Sequence, residues 1–198
     1  MNVRVNELSV RIGLHRHDAP PEEELTRFEN SIGAQLPADF RIFLTYCGGQ
    51  NVLSEPRYEF AEPTPWGKTG RISRFLGLTT EPALDIESAA QQYAGRIPDE
   101  TIPVAADPAD NLVLLGVEGM VRDRVMFWDH EHRELSRSTA EMADDLEAAG
   151  EDLGHADVDA IIALWRKRFG AGTYAYENVY PVAATFSEFL AHLGATRE

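Results

Sequence analysis

The chain has one cysteine, Cys47, and two lysines, Lys68 and Lys167, among its 198 residues. A lone cysteine excludes an internal disulfide framework. Its apolar neighbourhood makes Cys47 a small buried hydrophobe. No run of eighteen apolar residues occurs, which excludes a membrane-spanning helix of ordinary length. Met1–Asn6 lacks the apolar core of a signal peptide, so the expected compartment is the reducing cytoplasm. Both Gly-x-Ser-x-Gly and the phosphate-cradling Gly-x-x-x-x-Gly-Lys-Ser/Thr loop are missing, and with them the commonest nucleophile and nucleotide signatures. Acid pairs are expected by number alone in a chain with thirty-three acids, so the reading is non-enzymatic. Basic charge is scarce too. Eighteen Lys and Arg against thirty-three Asp and Glu leave a net charge of −15. Phosphate backbones repel such a surface, which argues against generic nucleic-acid binding. The acidity serves either a basic partner or solubility alone. Arginine in place of lysine, with abundant alanine, fits a GC-rich bacterial genome.

What is present suffices for one domain with its own core. Residues 1–19 read as a strand or arm. Pro20-Pro21 ends it, and Glu22-Glu23-Glu24 opens a helix whose first turn complements the helix dipole. Leu25, Phe28, Glu29 and Ile32 follow helical spacing, the three hydrophobes form its stripe, and Gly33 stops it. Pro37 starts a second helix, with Phe40, Phe43, Leu44 and Cys47 on one face. After Gly48-Gly49 the period changes. Val52-Leu53, Tyr58–Phe60, Ile72 and Arg74–Leu78 read as short strands, with a turn at Glu62–Gly67. Asp85 caps a short helix to Ala94. Ile102–Ala105, Asn111–Leu115 and Arg124–Trp128 are three more strands. Strands grouped together with helices outside them predict an α+β fold, a largely antiparallel sheet carrying packed helices.

Residues 136–181 differ in composition. Eight acids and no Lys or Arg lie between Ser138 and Ala160. Met142, Leu146, Ala149 and Leu153 give one helix an apolar edge. Asp157 caps a second, with Val158, Ile161, Ile162, Trp165 and Phe169 on its face and Arg166-Lys167-Arg168 in its last turn. Thr185-Phe186-Ser187-Glu188 has the form of a capping box before a closing helix.

Several stretches, taken in order, resemble the SUKH superfamily of the Smi/Knr cell-wall-assembly-regulator type. They are the acidic-start helix, the Leu36-Pro37-Ala38-Asp39-Phe40 link, the Gly48-Gly49 end, Phe75–Leu78, Ile102–Ala105 with Asp107 and Asn111-Leu112, Val125–Glu131, and Thr185–Leu190. The resemblance covers residues 22–135 and 182–194 of a single domain, with 136–181 as a helical acidic insertion. Asp107–Asp110 departs from the pattern by lacking a glycine before Asn111. The resemblance implies a non-enzymatic protein. Bacterial members are regarded as immunity proteins of polymorphic toxin systems, each binding and neutralising a cognate toxin domain, often a nuclease; fungal members act as signalling scaffolds. An acidic protein suits the basic face of a nuclease independently. The regulatory scaffold, with an endogenous protein partner, is the alternative.

The expected partner surface comprises Glu62, Trp66, Asp107, Asp110, Glu141, Asp144, Asp145, Glu147 and Asp152. Trp66 is either an interface anchor or a lid on the sheet edge. The acid run is either a contact surface or a solvated helix face. Alternation puts His130 and His132 on one face, the start of a zinc site or merely a solvated strand end. His15 and His17 repeat that spacing. No third ligand follows, and no metal or cofactor is expected.

Overall fold

The computed structural model describes residues 12–16, 19–64, 67–130, 139–154, 156–169 and 178–194. Helices α1 (Glu22–Ile32) and α2 (Ala38–Leu44) come first. Strands β1 (Gln50–Asn51), β2 (Arg57–Thr64), β3 (Gly67–Arg71) and β4 (Arg74–Phe75) follow, then α3 (Ile86–Gln92). Next are β5 (Thr101–Ala106), β6 (Leu112–Gly116), a 3-10 turn at Gly119–Val121 and β7 (Val125–Trp128). The chain continues with α4 (Thr139–Ala148), α5 (Val158–Phe169), β8 (Val179–Ala183) and α6 (Phe186–His192). The sheet runs β1-β4-β5-β6-β7-β8, antiparallel throughout, and β2 and β3 form a separate hairpin. The α+β expectation holds.

Strands β5, β6 and β7 are buried at every residue. Their unbroken apolar runs have that cause, because a strand covered on both faces has no polar side. One face carries Phe75, Val104, Val113, Leu115 and Phe127, which meet Phe28 of α1, Phe40 and Phe43 of α2, and Phe186 and Phe189 of α6. The rings pack edge to face: Phe186 lies 4.9 Å from Phe40 and 5.1 Å from Phe43. Such pairs add about 0.5–1.5 kcal/mol each beyond their buried area. The other face gathers Leu112, Leu114, Met126 and Trp128 with Ile97 and Tyr93.

Local chemistry sets the helix ends as expected. Gly33 caps α1 at φ 69. Asp85 accepts from the Ser88 amide at 2.8 Å. Thr185 Oγ1 accepts from the Glu188 amide at 3.1 Å, while Glu188 reaches back to the Ala184 amide at 2.9 Å. The box thus closes on a donor one residue upstream of the usual N-cap amide. Gly77 explains the Gly48-Gly49 pair. A Cβ on Gly77 would lie 2.4 Å from the Gly49 nitrogen, so the end of α2 docks only on a bare backbone.

Several expectations change. Ile72 lies between strands rather than in one. Ile12 is helical rather than extended, and is buried; Met1–Arg11 lie outside the described residues. The first short strand is Gln50–Asn51, and Leu53 beyond it is 98% exposed. The expected turn at Glu62–Gly67 is narrower, since β2 continues to Thr64 and β3 resumes at Gly67. Only Arg74-Phe75 of the Arg74–Leu78 stretch is strand; Gly77 makes one isolated bridge, to Asp85.

Helices α4 and α5 form a hairpin with its own small core of Met142, Leu146 and Trp165, flanked by Leu153, Ile161 and Leu164. Ala149, expected on that edge, is exposed. Strand β8 then returns to the sheet edge beside β7.

Candidate functional site

The acids singled out from sequence stand in three places, and their environments separate them into two kinds. In the β5–β6 turn, Asp107 Oδ1 accepts from the amides of Ala109 (2.8 Å) and Asn111 (2.9 Å), and Oδ2 from Asn111 Nδ2 (2.9 Å). A carboxylate with three donors is committed to the turn. Asp110 takes the left-handed conformation at φ 64 and pairs with Arg74 at 2.7 Å. In the helical hairpin, Asp145 Oδ2 accepts from the Trp165 indole at 3.1 Å, tying α4 to α5. Asp152 Oδ1 accepts from Gly154 N at 3.1 Å in the connecting turn. All four are part of local structure, though Asp110 and Asp152 are exposed.

The second kind faces solvent. Glu62 on β2, and Asp144 and Glu147 on α4, are exposed. The side chain of Glu141, and all of Trp66, lie outside the described residues.

Of the histidines, His130 is held by the β5–β6 turn. Asn111 Oδ1 accepts from both the backbone N (3.0 Å) and Nδ1 (2.9 Å) of His130. Because Asn111 Oδ1 only accepts, Nδ1 carries the proton. With Asp107 behind it, Asn111 relays a chain Asp107–Asn111–His130 that ties the β5–β6 turn to the end of β7. His132 and His17 lie outside the described residues. His15 engages Gln50 through its backbone: its N–H donates to Gln50 Oε1 and its carbonyl accepts from Gln50 Nε2, each at 2.8 Å. Among the described residues no three His, Cys, Asp or Glu side chains converge on one point. Cys47 is buried.

Sequence reasoning missed three features that use residues far apart in the chain. Glu29 is buried; its Oε1 accepts from the Leu36 amide at 3.0 Å and lies 3.5 Å from Arg41 Nε. Arg41 also pairs with Glu22. That hydrogen bond is the chief reason its guanidinium is held above its ordinary pKa; burial opposes the shift and the charges of Glu22 and Glu29 add to it. Asp39, on α2, accepts from the Ser187 amide at 2.7 Å and so caps α6 from across the domain. Finally, a groove of about 520 Å³ opens between α1 and α3, floored by Phe28, Ile97, Ile102 and Val117.

The fold is therefore an α+β domain in which Asp107, Asp145 and Asp152 serve its own turns and helix contacts. Residues 19–148 match the sequence model of the SMI1 / KNR4 family (SUKH-1), well over half of the chain, and the chain belongs to that family. The match runs through α4 and stops before α5. A relative, the SPbeta prophage-derived uncharacterized protein YokK of Bacillus subtilis (strain 168), is 30% identical over 122 residues, covering 55% of this chain. That alignment takes in 62% of YokK, so the chain spans less than two thirds of its relative's length. No solved structure matches. The family is commonly one of immunity proteins in toxin systems and is generally non-enzymatic. No described helix is long and apolar enough to cross a membrane.

Proposed function

We propose that this chain is an immunity protein, which binds a cognate toxin domain and covers its active face in the cytoplasm. Family membership supports the kind of role. The observation that carries the choice of partner is charge. The chain is at −15, and exposed carboxylates such as Glu62, Asp144 and Glu147 take no part in turns or caps. A nuclease must attract phosphate, so its active face is basic, and an acidic protein replaces the substrate there. Complementary potentials raise association toward about 10⁸ M⁻¹s⁻¹ at low salt, and an antidote needs that speed.

Co-expression tests the proposal. Each toxin domain encoded beside this gene is expressed in a sensitive host with and without the full-length chain. Growth restored against one of them, with a complex recovered on gel filtration, is the expected result. Failure to protect against or bind any of them overturns the reading.

A further inference from the structure

The β2–β3 hairpin has an open edge, and the phase of its ladder fixes which groups face outward. Arg57 stands opposite Arg71, Tyr58 opposite Gly70 and Glu59 opposite Thr69. One step earlier, Ile72 N donates to the Pro56 carbonyl at 3.0 Å, so that pair is hydrogen-bonded. Antiparallel pairs alternate between bonded and non-bonded. Tyr58–Gly70 is therefore bonded, while Arg57–Arg71 and Glu59–Thr69 turn their N–H and C=O groups away from each other. The outer side of β2 agrees, since the Arg57 carbonyl accepts from Gly194 N at 2.8 Å. On β3 the same phase aims the N–H and C=O of Thr69 and Arg71 out of the hairpin. Among the described residues no group pairs with these four. Apart from half-buried Gly70, every residue of β3 is exposed.

An open ladder is a template for another strand, and the residues of β3 restrict which strand. In a chain at −15, the charged residues of Gly67–Arg71 are both cations, Lys68 and Arg71. Lys68 has no ion pair or hydrogen bond among the described residues. Arg71 faces Arg57 across the ladder, where like charges repel, and Glu55 at 3.2 Å offsets one of the two. An added strand meets the side chains of β3 first, because β2 lies a further strand spacing of about 4.8 Å away. The complement to Lys68 and Arg71 is acidic. A second copy fits poorly, since its β3 brings the same two cations and its net charge has the same sign. We propose that the β3 edge takes an extended segment of a partner protein, added antiparallel, with Asp or Glu opposite Lys68 and Arg71. Main-chain bonds at Thr69 and Arg71 supply the hold, and the two cations select the sequence. The inference goes beyond the immunity reading and does not rest on it, because it calls for an acidic strand rather than a basic face.

The test titrates three end-capped hexapeptides into the isotope-labelled whole protein by NMR. VEVTEV places its glutamates opposite Arg71 and Lys68 when its threonine pairs with Thr69. VKVTKV reverses both charges. VEVPEV keeps the charges and removes the N–H that donates to the Thr69 carbonyl. The expected result is that VEVTEV shifts the amides of residues 68–71 and slows solvent exchange at Thr69 and Arg71. It binds about tenfold or more tighter than either control, a difference of about 1.4 kcal/mol. Lys68→Glu, at an exposed position, abolishes the preference for VEVTEV over VKVTKV. Thr69→Pro removes an outward N–H and leaves the β2–β3 ladder intact, and it weakens VEVTEV about tenfold. Should Thr69→Pro fail to fold, the Lys68→Glu result decides alone. Shifts elsewhere, equal binding of the three peptides, or an unchanged preference in Lys68→Glu overturns the proposal. So does concentration-dependent dimerisation that moves amides 68–71 without peptide, because the occupant is then a second copy.

Discussion

The ring of Tyr58 lies across Gly70, its cross-strand partner in the β2–β3 hairpin, so closely that a Cβ on Gly70 would stand 2.3 Å from Cζ and from the hydroxyl. Tyr58 is only 2% exposed and meets Phe60 and Phe189 edge to face at 5.4 and 5.5 Å. It cannot retreat without disturbing α6. Gly70→Ala is therefore expected to cost about 1–3 kcal/mol, the usual penalty of overpacking. Urea unfolding measures it, and a change under half a kcal/mol, roughly the scatter of neutral surface substitutions, shows that the ring moves freely.

The Tyr58 hydroxyl is buried and has no hydrogen-bond partner among the described residues. Burial chiefly, and the Asp107 charge secondarily, push its pKa well above 10.0. A group whose folded pKa is raised contributes stability that is present below its unfolded pKa and lost as pH climbs above it. The wild type should therefore weaken as pH rises past 10 in a way that Tyr58→Phe does not. At pH 8 the variant should match or exceed the wild type, because it removes an unsatisfied polar group. Urea midpoints of both proteins at pH 8 and 10.5 check this. Parallel losses would place the alkaline sensitivity elsewhere.

Asp110 occupies the left-handed position before Asn111 at φ 64. Alanine there loses the short polar side chain that tolerates this conformation and also loses Arg74, whereas glycine removes the backbone strain. Asp110→Gly is expected to be more stable than Asp110→Ala by about 1 kcal/mol. The ion pair drops out of the comparison, since it is missing in both variants. Equal midpoints for the two would deny any role to the backbone.

Some of this architecture was legible in sequence because its causes are local. Asp85, Asp157 and Thr185 cap the helices they precede, and each cap depends on residues within a single turn. The strand runs of β5 to β7 were legible because burial on both faces leaves no polar interruption. Strand β8 was not, since Pro181 breaks its strand propensity; the structure accommodates that proline on an edge strand, where a missing donor matters least. Of the candidate site, Glu62, Asp144 and Glu147 are exposed, the ordinary place for acids outside turns and caps. The fixed roles of Asp107 and Asp145 were not legible, because their partners are a turn geometry and an indole twenty residues away. The groove was invisible for the same reason, since Phe28, Ile97 and Val117 meet only in the folded chain.

Asp39 illustrates how the Leu-Pro-x-Asp-Phe link works. Its carboxylate receives the Ser187 amide at 2.7 Å, while Phe40 beside it meets Phe186 at 4.9 Å. One dipeptide thus holds both the cap and the ring of α6. Asp39→Ala is expected to cost about 1.5–3 kcal/mol, the range for hydrogen bonds to charged groups, and Asp39→Asn less. Amide exchange at Ser187 and Phe189 should accelerate before that of β6. Uniform acceleration throughout would mean that the variant merely lowers global stability.

The acidic hairpin permits a cleaner charge test than its composition suggests. Asp145 and Asp152 have structural partners, so neutralising them mixes charge with fold. Asp144 and Glu147 are exposed on α4, and neither carboxylate takes part in those two bonds. Asp144→Asn with Glu147→Gln should leave the urea midpoint within about 0.5 kcal/mol of wild type. If the hairpin steers the toxin, the same pair slows association at low salt and has little effect near physiological ionic strength, where exposed charges are screened beyond about 8 Å. Stopped-flow association at two salt concentrations measures both. A slower on-rate that persists in high salt would indicate lost contact rather than lost steering. An unchanged on-rate at low salt would make α4 a solvated face.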